Sequence, residues 1–221
     1  VKYKKARVNA VMRIGVLAVQ GAFIEHEHMM EKLGADVVEI RQKDDLADID
    51  GIILPGGEST VQSKLLKELD MFDLLREKIL AGLPVLGTCA GLILLADAIE
   101  GEPSGHLRTL PVTVKRNAYG RQLGSFVTLA PLKGIGEFPM TFIRAPYISE
   151  VAAQCDAAGT APCDASGTAS VPGGQLPAVE ILARVDDRIV AVQYGRQLGL
   201  AFHPELTGDT RIHEYFLSLC R

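Results

Sequence analysis

Leu83-Pro84-Val85-Leu86-Gly87-Thr88-Cys89-Ala90-Gly91-Leu92-Ile93-Leu94-Leu95 is the stretch whose reading decides the fold. A short apolar run ends in Gly-x-Cys-x-Gly, and a second apolar run follows at once. This pattern reads as a buried strand, a sharp turn and a helix. Gly87 and Gly91 let backbone pack closely on both sides of a residue held at a strained elbow. Cys89 then sits at the tip of the turn and at the N-terminus of the helix, where unpaired N–H groups and the helix dipole favour negative charge. The competing reading is a small buried hydrophobe between two glycines, since free cysteines are commonly buried. A nucleophile needs a base, an orienting group and oxyanion donors from elsewhere in the chain.

The 221 residues, 48% hydrophobic and 23% charged, suit one large α/β domain with a full core. A net charge of −4 leaves no electrostatic footprint for nucleic acid, and the only basic cluster, residues 2–7, is short and terminal. No apolar stretch is long enough to cross a bilayer, and residues 1–11 lack the apolar core of a signal peptide. They read as a disordered N-terminal extension ahead of Met12. Four cysteines (Cys89, Cys155, Cys163, Cys220) without a Cys-x-x-Cys pair fit reduced thiols in a cytoplasmic protein.

Working outward, residues 13–19 form a continuous apolar run, as expected of a central parallel strand. It ends in Gln20-Gly21, before a helix over residues 24–33. In open α/β sheets ligands gather beyond the carboxyl ends of strands, so Gln20 is a candidate site-lining residue; an ordinary turn residue is the equal alternative. His26 and His28, two apart on that helix, point in different directions and are expected at the surface. Residues 36–40 and 51–54 read as the second and third strands. The latter runs into Pro55-Gly56-Gly57-Glu58-Ser59-Thr60, whose adjacent glycines allow backbone N–H groups to approach a ligand. Without a Gly-Lys-Ser/Thr ending it is no nucleotide P-loop, and Ser59 with Gln62 fits a capping box.

After the cysteine helix the pattern changes to strand after strand, at residues 112–115, 122–129 and 141–144. Residues 152–178, rich in Ala, Gly, Ser, Thr and Pro without periodicity, read as a flexible insert that carries Cys155 and Cys163 incidentally. Strands return at 178–185, 188–192 and 197–202, with a hairpin turn at Asp186-Asp187. The last ends in His203-Pro204-Glu205, before a closing helix over 209–219. His203 and Glu205, two apart at a strand's end, project to the same side. The histidine can take a thiol proton while the carboxylate fixes its tautomer. The triad expected is Cys89, His203 and Glu205.

Gly-x-Cys-x-Gly followed far downstream by His-Pro-Glu resembles the class I (triad) glutamine amidotransferases. Further stretches are similar to the family of glutaminase subunits of pyridoxal 5′-phosphate synthase: Leu54 to Thr60, Gly87 to Leu92, Arg116 to Gln122, Phe142 to Pro146 and Phe202 to Thr207. The resemblance covers residues 12–221 and departs only at the N-terminal extension and the insert. It implies a three-layer α/β/α, flavodoxin-like fold with a mostly parallel central sheet. It also implies hydrolysis of L-glutamine to glutamate and ammonia through a cysteine thioester. Oxyanion donors would come from Ala90 and one of Gly56 or Gly57. Gly57, Glu58, Ser59, Arg116, Ile143 and Arg144 would bind glutamine, with no cofactor and no metal. The ammonia would pass to a (β/α)8-barrel synthase subunit in a hetero-oligomeric complex that makes pyridoxal phosphate (vitamin B6). Three alternatives stand beside it. The glutaminase of another ammonia-using synthase is opposed by Pro-Gly-Gly-Glu-Ser-Thr and Phe-Ile-Arg-Ala-Pro. A catalytically silent regulatory scaffold is opposed by the intact triad, and a flavodoxin-like nucleotide binder by the missing phosphate fingerprint.

Overall fold

Five short strands, β1 (Arg13–Leu17), β2 (Asp36–Ile40), β3 (Gly51–Leu54), β4 (Val85–Thr88) and β12 (Gln197–Leu200), lie side by side and parallel in the order β2-β1-β3-β4-β12. β3, β4 and β12 are buried along their whole length, which is why they read as unbroken apolar runs. β2 is the half-exposed edge. The computed structural model describes residues 11–102, 105–116, 124–152 and 178–221. The expectations for residues 1–10, for the body of the 152–178 insert with Cys155 and Cys163, and for the strand start at Gln122 lie outside the described residues.

The helices are α1 (Phe23–Lys32), α2 (Ser59–Glu68), α3 (Phe72–Leu80), α4 (Ala90–Leu95) and α5 (Arg211–Cys220). From β1 the chain crosses outward to β2; from β3 it crosses the other way to β4. Right-handed crossovers in opposite directions put α1 on one face of the sheet and α2 with α3 on the other. The winding direction therefore reverses between β1 and β3, the place where α/β sheets open a crevice for ligands. α2 packs against α3 and α4, while α1 shares its face with α5, where the His26 and His213 rings lie 5.3 Å apart.

Register brings the functional loops together. Leu54 pairs with Gly87, and Thr88 with Leu200, so β3, β4 and β12 end level with one another. The residues that follow, Gly56-Gly57, Cys89 and His203, emerge along one rim. Beyond β12 the sheet continues through β11 (Arg188–Tyr194), β9 (Tyr147–Val151), β6 (Leu110–Lys115) and β5 (Ala96–Ile99), with β10 (Glu180–Val185) paired to β11. The turn joining β10 and β11 holds Asp186 and Asp187 at φ 48° and 62°, the left-handed pair that a tight hairpin requires. β7 (Ser125–Leu132) and β8 (Gly136–Ile143) form a separate antiparallel hairpin. Among the described residues no helix is long and apolar enough to cross a membrane.

Two strands escape the sequence reading. β5 follows α4 without a loop, so its apolar residues read as more helix; β9 is only half buried and shows no clear alternation. The elbow itself stands as read. A Cβ on Gly91 would lie 1.9 Å from the Leu54 carbonyl oxygen, because the end of β3 crosses directly over the first turn of α4. Gly91→Ala is therefore expected to cost more than about 3 kcal/mol or to prevent folding, read as a loss of the cooperative thermal transition. A melting temperature within two or three degrees of wild type would contradict the close crossing.

Candidate active site

Cys89 stands between β4 and α4 with φ 48° and ψ −99°, a conformation that side-chain-bearing residues rarely adopt. Its own N–H is donated to Leu200 O at 2.8 Å, which ties the elbow to β12 and removes that amide as an oxyanion donor. The next amide, Ala90 N–H, belongs to the first turn of α4 and has no intrahelical acceptor. The thiol is almost enclosed yet opens into a pocket.

His203 reaches that thiol from the end of β12. Its N–H is donated to Thr141 O on β8 at 2.8 Å, and the preceding Phe202 is locked among Phe138 and Phe142, with ring centroids 6.2 and 5.7 Å away. Nδ1–H donates to Glu205 Oε1 at 2.7 Å, leaving Nε2 for the hydrogen bond with Cys89. Gly56 passes so close that a Cβ there would lie 2.3 Å from His203 Cε1, so only glycine fits beside the imidazole. Burial opposes charge on His203, but the hydrogen bonds to Cys89 and Glu205 and the nearby carboxylate outweigh it and raise the imidazole to about 10. The surroundings thus stabilise the state His203 reaches after taking a thiol proton. Burial also pushes Glu205 up, while the facing His26 and the hydrogen bond from His203 pull it down and prevail.

The pocket, about 410 Å³, lies at the reversal between β1 and β3. Gln20, Gly56, Gly57, Glu58, Ser59, Arg116, Ile143 and Arg144 line it together with Cys89 and His203, and Arg116 lies directly against Ser59. The sequence reading did not single out Ala22 and Ile93, which also face it. Gln20 is a structural clasp as well as a lining residue: its Oε1 accepts Glu58 N–H at 2.8 Å and its carbonyl accepts Gln62 Nε2 at 2.9 Å. The capping box expected from Ser59 and Gln62 is absent. The helix is capped at Glu58 without a side-chain bond, because Gln62 is drawn to Gln20 and Pro55 and Ser59 Oγ accepts from Arg116. Arg116 also bonds Thr60 Oγ1 and pairs with Glu102 at 3.1 Å. Arg144 is held at φ 43° while its N–H bonds Gly124 O at 2.7 Å.

A second correction concerns α1. His28 is exposed, but His26, also expected at the surface, is fully buried. Its Nδ1 lies 3.0 Å from His213 Nε2, and its Nε2 lies 3.1 Å from Thr88 Oγ1 and 3.4 Å from Glu205 Oε2. The signal was its spacing: Phe23, Met29 and Met30 stand three or four residues away, on the inward face. Among the described residues no group of three His, Cys, Asp or Glu is arranged to hold a metal ion.

Residues 16–165 match the SNO glutamine amidotransferase family. A pyridoxal 5′-phosphate synthase subunit PdxT of Desulfitobacterium hafniense is 56% identical over 207 residues, covering 93% of this chain and 92% of that protein. A protein of the same name from Streptococcus pneumoniae is 49% identical over 214 residues, covering 95% and 98%. Among solved structures, one described as a glutamine amidotransferase superposes with a TM-score of 0.80 at 39% identity, covering 94% of this chain and 98% of that one. PurLQS from Thermotoga maritima, at 15% identity and a TM-score of 0.61 over 96% of this chain and 100% of that one, shares the fold.

Proposed function

The chain belongs to the SNO glutamine amidotransferase family, and on that premise we propose that it is the glutaminase subunit of pyridoxal 5′-phosphate synthase. It hydrolyses L-glutamine and hands the ammonia to a (β/α)8-barrel subunit. The observation that carries this reading is the run of contacts from Cys89 through His203 to Glu205, whose first two members line a polar pocket.

His203 Nε2 takes the Cys89 proton, and the sulfur attacks the side-chain carbonyl carbon of glutamine. The tetrahedral oxyanion is met by Ala90 N–H and by an amide of the Gly56-Gly57 loop. As the C–N bond breaks, His203 returns the proton to the leaving nitrogen and ammonia departs, leaving a glutamyl thioester. His203 next takes a proton from water; the resulting hydroxide cleaves the thioester, and glutamate and the thiol are restored. Glu205 stays ionised throughout, holding Nδ1–H and balancing the imidazolium. At the rim, Arg116 and Arg144 offer positive charge for the α-carboxylate and Glu58 offers negative charge for the α-ammonium.

The test is ammonia release from glutamine by the chain together with its barrel subunit; no release would refute the reading. Unequal losses at the dyad follow from the roles. His203→Ala is expected to remove nearly all turnover, on the order of 10,000-fold, whereas Glu205→Gln, which keeps the shape, retains a measurable fraction. Equal and mild losses would make His-Pro-Glu a mere strand exit.

A further inference from the structure

Behind the triad lies a buried polar group that the mechanism above does not use. We propose that His26 is a positioning residue for glutamine hydrolysis, its Nε2–H holding the second oxygen of Glu205 and His213 fixing the required tautomer. The inference rests on the role given to Glu205 and deepens it.

Glu205 Oε1 is occupied by His203, but Oε2 is buried and has no hydrogen bond of good geometry among the described residues. A buried carboxylate oxygen left without a donor is costly. The group facing Oε2 is His26 Nε2 at 3.4 Å, a long contact of the kind that tightens when charge develops on the neighbouring imidazole. Thr88 Oγ1, at 3.1 Å, shares that nitrogen.

Only one tautomer suits these positions. With the proton on Nε2, His26 donates toward Glu205 and Thr88, while its Nδ1 accepts from His213 Nε2–H at 3.0 Å. His213 Nδ1, buried without a partner, is then a lone pair. The opposite arrangement sets a His26 lone pair against the carboxylate and leaves His213 with a buried N–H and no acceptor. Burial disfavours the charged form of both rings: it pushes His26 down against the pull of the Glu205 carboxylate, and it pushes His213, beside His26, down to about 3. The groups acting on this carboxylate and its neighbours are His203 and Cys89 on the pocket side, the backbone N–H of Glu205 itself, His26 on α1 and His213 on α5, with Glu25 a further negative charge felt by His26.

Two amide variants separate positioning from packing. The glutamine side chain of His26→Gln reaches the place of Nε2 and keeps a donor for Glu205; that of His26→Asn reaches only the place of Nδ1, toward His213. His26→Asn is expected to lower kcat about 10- to 100-fold with KM changed less than about twofold, while His26→Gln stays within about fivefold of wild type. In the same samples the ring-NMR titration of His203, one of five histidines in the chain, is expected to move to lower pH in His26→Asn and much less in His26→Gln. Equal kcat and equal His203 titration in the two variants would overturn the proposal. The wild-type ring nitrogen shifts of His26 require no variant: an Nε2–H tautomer supports the assignment and an Nδ1–H tautomer overturns it. If wild type with its barrel subunit releases no ammonia, the glutaminase reading fails, while the NMR arms still decide what His26 does to Glu205 and His203.

Discussion

Cys89→Ala is expected to bring glutamine turnover to background, at least about 10,000-fold below wild type with the barrel subunit present, while the protein stays folded and still binds that subunit. The size of the loss follows from the chemistry. Without sulfur no thioester forms, and water must attack the amide itself, a far poorer electrophile than the thioester it normally meets. Folding survives because the elbow is fixed by backbone: Cys89 N–H bonds Leu200 O, and β3 crosses over Gly91. Alanine removes one small atom from a site that already opens into the pocket. Ammonia release, a thermal melt and a binding titration measure the three parts. Turnover within tenfold of wild type would remove Cys89 from the mechanism. Unfolding would move the cysteine into the structural class that its burial alone suggests.

The elbow was legible because its requirements are local. A close crossing forces glycine at 91, and a nucleophile at the end of β4 forces the strand-turn-helix pattern around it. His203 and Glu205 were legible as a pair two residues apart, but strand alternation is not what joins them: β12 ends at Leu200, and a 3-10 turn over Pro204–Leu206 brings the Glu205 carboxylate back to His203 Nδ1. What the sequence concealed is what tertiary contact decides. Gln62 and Ser59 satisfy a capping pattern, yet longer-range partners, Gln20, Pro55 and Arg116, win their side chains. His26 was misplaced because a spacing of two from His28 separates the pair without saying which ring faces inward; its spacing from Phe23, Met29 and Met30 does. Its partners come from β4, α5 and the turn after β12, elements far apart in the chain. Such a cluster leaves only one local trace, a polar residue at an apolar helical position.

The second large effect is expected from the partner. The isolated chain should turn over glutamine slowly, and saturating barrel subunit should raise turnover about 100- to 1,000-fold, the size of one oxyanion donor gained. Ammonia released without an acceptor is wasted, so a site completed only in the complex serves this reaction. The structure offers a place for the switch. Gly56 O accepts Ala22 N–H at 3.0 Å, and Gln20 Oε1 accepts Glu58 N–H at 2.8 Å, so the strand-one loop clasps the glycine loop from both sides of its central peptide. That peptide is trans, so Gly57 N–H points opposite to the carbonyl that Ala22 holds. Whatever contacts the Gln20–Ala22 loop therefore governs where the Gly57 amide points, and a partner that binds one orientation more tightly shifts the population toward it. Ala22→Pro deletes the one N–H that holds Gly56 O, at a residue whose φ of −86° lies close to what proline adopts. In this variant the ratio of turnover with and without the barrel subunit is expected to fall at least fivefold, because the clasp no longer favours one orientation before the partner arrives. The ratio is read from steady-state ammonia release at saturating glutamine. An unchanged ratio in Ala22→Pro would show that the clasp is not the switch. A wild-type ratio near one would show that the site is complete without a partner, whatever the triad does.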